Sequence, residues 1–142
     1  MTVVDLERLY DYGYWANAKL FRVLATLTPE EFTRPVAGSY GSIRNTLVHV
    51  LSAEWGWIER GGGPPRGTKL NPDDYPTLES LTARWSQVEG YLRTFLASLQ
   101  DADLARPMGA GADDPVSDLI IGNTYEHYDE HAGWIREKLG RV

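Results

Sequence analysis

Apolar residues recur along this chain with the 3.6-residue period of an α-helix, and no stretch alternates with the two-residue period of a strand. That pattern confines it to an all-α fold. In the first segment, Leu6, Leu9, Tyr10, Gly13, Leu20, Phe21, Leu24 and Leu27 share one helical face, predicting a helix from about Thr2 to Leu27. "TPEE" then resets the chain. Thr28 can cap, Pro29 suits the first helical position and Glu31 completes a capping box, opening one short helical turn before Pro35 and Gly38. A second helix is expected from Ser42 to Arg60, with Ile43, Leu47, Val50, Leu51 and Ile58 as its stripe. Residues 60 to 76 hold four Gly and four Pro and read as a long loop. The third helix, about Thr77 to Leu99, carries Leu81, Trp85, Val88, Leu92, Phe95 and Leu99 in register. After "RPMGAGADDP", Asp114 and Pro115 open a last helix that ends at Gly140, near Lys138 and Arg141.

Four helices of about 20 residues predict a four-helix bundle. The loop of residues 60 to 76 is long enough for a crossover connection. With 142 residues the expectation is one domain, covering 1–142. The net charge of −6 and the absence of a basic stripe argue against nucleic acid or an anionic membrane as partner. No run of about 20 apolar residues is present to span a bilayer. "MTVVDLERLY", with Asp5 and Glu7, lacks the layout of a signal peptide, so a cytoplasmic location is expected. There is no cysteine, which removes disulfides, thiolate ligands and a cysteine nucleophile. A nitrogen-ligated metal would therefore have to use histidine.

All three histidines fall on or beside apolar faces. His127 and His131 in "TYEHYDEHAGWI" are four apart and lie in the arc of Ile120, Ile121, Tyr128, Trp134, Ile135 and Leu139. His49 sits beside the second helix's stripe, on a line with the small residues Ala53 and Gly56. If the second and last helices are neighbours, three imidazoles converge, leaving open positions as in a catalytic metal site. The plainer alternative is three satisfied core histidines, though burying imidazoles without partners is costly. "HYDEH" also fits H-x-x-E-H of inverted zinc peptidases, but Glu130 falls on the polar side of the wheel, turned from the pair.

Other polar residues occupy apolar positions. Asn17 lies between Gly13 and Phe21, as a core amide or as a group touching substrate. Glu54 falls on the second stripe and needs a partner, with Arg44, a tyrosine or a histidine as candidates. It is a candidate general base or ligand-orienting group, and equally a structural hydrogen bonder. Tyr128 could cover the site or pack in the core. Trp55 and Trp57 are candidates for a dimer surface or for core packing.

"YGYWANAKL", "GSIRNTLVHVLSAEWGWIER" and "NTYEHYDEHAGWI" together resemble the DinB superfamily, in order and across essentially the whole chain. The resemblance implies a DinB/YfiT-like all-α four-helix bundle with a crossover connection. It further implies a divalent metal, zinc or nickel, on His49, His127 and His131, with Trp15-Ala16-Asn17 and Glu54 at recurrent positions. One departure is that His131 is followed by Ala132, Gly133 and Trp134, where many members carry another histidine and an Arg-Gly-Gln stretch. The resemblance implies a homodimer and chemistry on a small-molecule substrate, either thiol-dependent transfer or isomerisation, or hydrolysis of a small electrophile. Without cysteine, the thiol would be a diffusible low-molecular-weight cofactor. Asn17 and Glu54 are the candidate catalytic residues on this reading. The alternative is a metal-binding stress-response or interaction protein without turnover.

Overall fold

The computed structural model describes residues 1–107 and 128–140. Among them are five α-helices and no strand: α1 (Val3–Leu24), α2 (Pro29–Thr33), α3 (Ile43–Arg60), α4 (Leu78–Ser98) and α5 (Tyr128–Leu139). Single 3₁₀ turns stand at Pro72–Asp74 and Asp101–Ala105. Residues 108–127, including His127 and the predicted cap at Asp114, lie outside the described residues.

Helix starts follow the local chemistry. Thr2 and Asp5 exchange hydrogen bonds as a capping box, and Thr28 and Glu31 repeat it for α2. Ser42 accepts from Asn45 N, and Thr77 and Ser80 cap α4. α1 ends at Leu24, three residues before the predicted Leu27. Thr26 and Leu27 instead donate to the carbonyls of Val23 and Leu24, tightening the last turn. The reason is Thr28, which must be extended (φ −71, ψ 159) to cap the next helix.

The helical stripes meet in one core. Leu6 and Leu24 of α1, Leu47 and Leu51 of α3, Leu81 and Leu92 of α4 and Ile135 of α5 are almost wholly buried. Each such side chain stabilises by about 1.5–3 kcal/mol. α4 packs on α1 and α3, while α2 and α5 both pack on α3. Phe21 meets Trp85 edge-to-face across α1 and α4, with ring centroids 5.1 Å apart. Trp55 is buried, its indole N–H donating to Pro64 O, and Trp57 packs against the core. The exposed tryptophan is Trp15, with Lys19 Nζ 3.6 Å from its ring centroid. No helix among the described residues is long and apolar enough to cross a membrane.

Candidate functional site

Packing of α5 on α3 brings two of the three histidines together. His49 of α3 and His131 of α5 have ring centroids 5.4 Å apart, with planes at 79°. His131 is 8% exposed and His49 is half-buried. His127 lies outside the described residues, and among the described residues no cluster of three or more metal-binding side chains forms.

A third element completes the arrangement, the loop between α2 and α3. Gly38 (φ 91), Ser39 (φ 45) and Gly41 (φ 86) all take left-handed backbone, which costs a serine where it does not cost a glycine. Gly41 O accepts from Val36 N, and Gly38 O from Gly41 N, folding the loop back on itself. The loop reaches α5 at Gly38, where a Cβ would stand 2.9 Å from Trp134 Nε1. Ser39 Oγ lies 3.4 Å from His131 Nδ1 and 3.2 Å from the Thr46 hydroxyl, which also donates to Ser42 O. Tyr40 stacks flat on His49, with centroids 3.8 Å apart and planes at 19°, and meets His131 edge-on at 5.7 Å. Sequence reasoning missed Ser39 and Tyr40. Their signal was the run "AGSYGS", a Gly/Ser turn ending on the cap of the helix that carries His49.

Glu54 and Asn17 are placed elsewhere. His49 and Glu54 are about 140° apart around α3, and Glu54 accepts from Tyr14 of α1 at a long 3.5 Å. Of the partners considered for it, the tyrosine is the one observed, while Arg44 binds Asp73 at 3.1 Å. Burial pushes the Glu54 carboxyl up to about 7, the Glu89 carboxylate adds to this, and Tyr14 opposes it. The Trp85 indole also opposes the rise, yet its N–H completes no hydrogen bond among the described residues. Burial likewise raises the Tyr14 phenol, with Glu54 contributing. Arg93 closes this polar group at the surface, bridging Asp11 at 2.9 Å and Glu89 at 3.0 Å with its guanidinium over the Tyr14 ring. Asn17 is 6% exposed, and its Oδ1 has no hydrogen-bond partner among the described residues. The side chain of Tyr128 lies outside what is described.

The all-helical fold is what the sequence motifs led one to expect, and the family agrees with it. The chain belongs to the DinB superfamily, which matches residues 13–133. Two proteins of Bacillus subtilis (strain 168) are similar to it. The uncharacterized protein YizA is 25% identical over 145 residues, 96% of this chain and 91% of YizA. Protein DinB is 36% identical over 52 residues, 37% of this chain and 30% of DinB. The chain thus aligns with less than a third of the length of DinB.

Proposed function

We propose that this chain is a divalent-metal-dependent enzyme in which His49, His127 and His131 hold one zinc or nickel ion. The observation that carries this reading is the His49–His131 pair, two imidazoles from separate helices 5.4 Å apart between centroids. Nitrogen ligands at ~2.0–2.1 Å from one zinc, arranged tetrahedrally, put their ring centroids roughly 5 Å apart. Tyr40 does not conflict with ligation, because it covers the face of His49 while a ring nitrogen binds in the plane of the ring. Ser39 supports it: a lone pair on its oxygen suits an Nδ1–H of His131, the tautomer that leaves Nε2 free as a ligand. Through the short loop to Ser42, the same contact ties the His131 ring to the N-terminal turn of α3.

An ion so held supplies a lowered pKa for a water or thiol and a Lewis acid for a carbonyl. Hydrolysis of a small electrophile, or transfer from a diffusible thiol, are the reactions this supports, since the chain has no cysteine of its own. Tyr40 covers one face of the His49 ring. The residue as a whole is 47% exposed, on a loop outside the apolar core. For Glu54, the Tyr14 contact favours a structural role over orienting a nucleophile. Asn17 Oδ1, buried and unpartnered among the described residues, keeps the capacity to accept a hydrogen bond.

The test is metal analysis of protein made without a histidine tag, after loading with zinc or nickel. About one ion per chain is expected, falling several-fold in His49→Ala, His127→Ala and His131→Ala. Metal content unchanged in His127→Ala, or a small fraction of an ion after loading, would sink this reading in favour of an interaction protein.

A further inference from the structure

A groove of about 500 Å³ runs along α3 beside the returning chain segment that carries Arg66 and Lys69. His49 lines one part of it, and Ala53 and Gly56 give it a floor of small residues. Its charged lining is Arg60, Arg66 and Lys69 against the single carboxylate of Glu59, in a chain whose net charge is −6. None of the three cations takes part in an ion pair among the described residues. With three cations against one carboxylate, the charged lining of the groove is net positive.

Arg66 is built into this groove. Its Nη1 donates to both the carbonyl and the hydroxyl of Ser52, and Ser52 Oγ also accepts from Leu70 N. The guanidinium lies over Gly56 so closely that a Cβ there would be 3.0 Å from Nη1 and 3.2 Å from Cζ. A glycine in mid-helix, which costs about 1 kcal/mol against alanine, has here a steric reason. Nε of Arg66 is buried and has no hydrogen-bond partner among the described residues. With Nη1 committed to Ser52, the edge left over is Nε with Nη2, and a ligand pairs with it as the atoms now covering Nε give way. Those two N–H groups are parallel, the fork that a planar carboxylate fills with two hydrogen bonds. Beside it, Arg60 sits over the Trp57 ring at 5.0 Å, which offers an apolar wall with a cation above it.

We propose that this groove is the subsite for the carboxylate of a small organic acid, bound by the free edge of Arg66 with Lys69 and Arg60 adding charge, and lying next to His49. As an assignment of substrate class it rests on the metal-enzyme reading above, whereas as a binding site it stands on the groove alone. A carboxylate anchored at Arg66 would hold the rest of a compact molecule along Ala53 toward the imidazoles, which fits a small electrophile carrying an acid group.

The test uses the full chain labelled with nitrogen-15, both metal-loaded and chelator-stripped, titrated with phenylacetate, phenylacetamide and phenylphosphonate. Phenylacetate should shift the Arg66 Nε–H and Trp57 indole signals in both forms of the protein. Phenylacetamide, lacking the charge, should bind at least about tenfold more weakly. Arg66→Lys keeps the charge but loses the fork, and should weaken phenylacetate about tenfold. Should that variant disturb the 61–70 segment, the double variant Arg60→Gln, Lys69→Gln decides, because neither side chain anchors the fold, and a several-fold loss is expected. Equal binding of acid and amide, or undiminished affinity in the double variant, overturns the proposal. Tighter binding of phenylphosphonate than of phenylacetate overturns its assignment to carboxylates. Metal content is read in the same samples, so a failure of the metal centre leaves the titration interpretable, and the converse holds.

Discussion

At Glu54 a carboxylate stands where the periodicity of α3 asks for an apolar side chain. Folding raises its proton affinity, chiefly by burial, to about 7 from an ordinary value of 4.5. Between those values the folded chain holds the Glu54 proton and the unfolded chain releases it. Stability therefore falls as pH rises through this window and levels off above it. Glu54→Gln keeps a hydrogen-bond acceptor for Tyr14 and removes the titration. Thermal melts from pH 5 to pH 8 should show the variant losing less stability than the parent, by on the order of 1–2 kcal/mol after allowance for partial exposure. Parallel curves for the two proteins would mean that Glu54 does not titrate there. That Glu54 needs a partner was legible in the sequence. Which partner was not, because Tyr14 lies 40 residues away and the pairing depends on how α1 sits against α3.

At the scale of elements, α3 is the organising helix. It carries His49, packs against α2, α4 and α5, and ends on a glycine motif. There Gly62, at φ 99, takes the left-handed position, with Gly62 N donating to Glu59 O and Gly63 N to Ile58 O, a Schellman ending. The chain turned back by that motif returns over α3 and is clamped there by Arg66 and by the Trp55–Pro64 hydrogen bond. Gly56 and Gly90 separate the two reasons a helix keeps a glycine. Around Gly90 of α4 a Cβ would meet nothing within 4 Å, so Gly90→Ala should stabilise by about 1 kcal/mol. Gly56→Ala carries the same helix-propensity gain but pushes against the Arg66 guanidinium. It should lose about 1 kcal/mol net as the charge-assisted bonds to Ser52 weaken. Denaturant melts of the two variants test this, and an equal gain in both would show that the Arg66 clamp contributes nothing to stability. The starts of α2 at Thr28 and of α3 at Ser42 were readable in advance because capping is local chemistry. The last turn of α1 was not, since the competing demand of Thr28 decides it.

At the scale of the molecule, the apolar core is shared among α1, α3, α4 and α5, while His49 and His131 occupy one edge of the α3–α5 contact. The core residues Leu6, Leu81, Val88 and Leu92 are buried by other apolar side chains and owe nothing to the histidines. On the proposed metal reading, stripping with a chelator should therefore leave the helical circular dichroism intact and lower Tm by no more than about 5 °C. Collapse of the cooperative transition on stripping would instead make the metal structural and count against a catalytic centre.

What the sequence determined alone is what short-range physics controls: helical segments from a 3.6-residue period, helix starts at Thr28 and Ser42, and the placing of His49 and His131 on or beside apolar faces. Its motifs also carried the family. The tertiary structure decided what depends on packing over long separations. It brought α3 and α5 together so that two imidazoles meet, laid Ser39 and Tyr40 over them from a third element, and gave Glu54 to Tyr14. It also folded Arg66 onto Gly56. A helical wheel fixes the direction in which a side chain points, but the neighbour it meets is set by how helices far apart in the chain share one core.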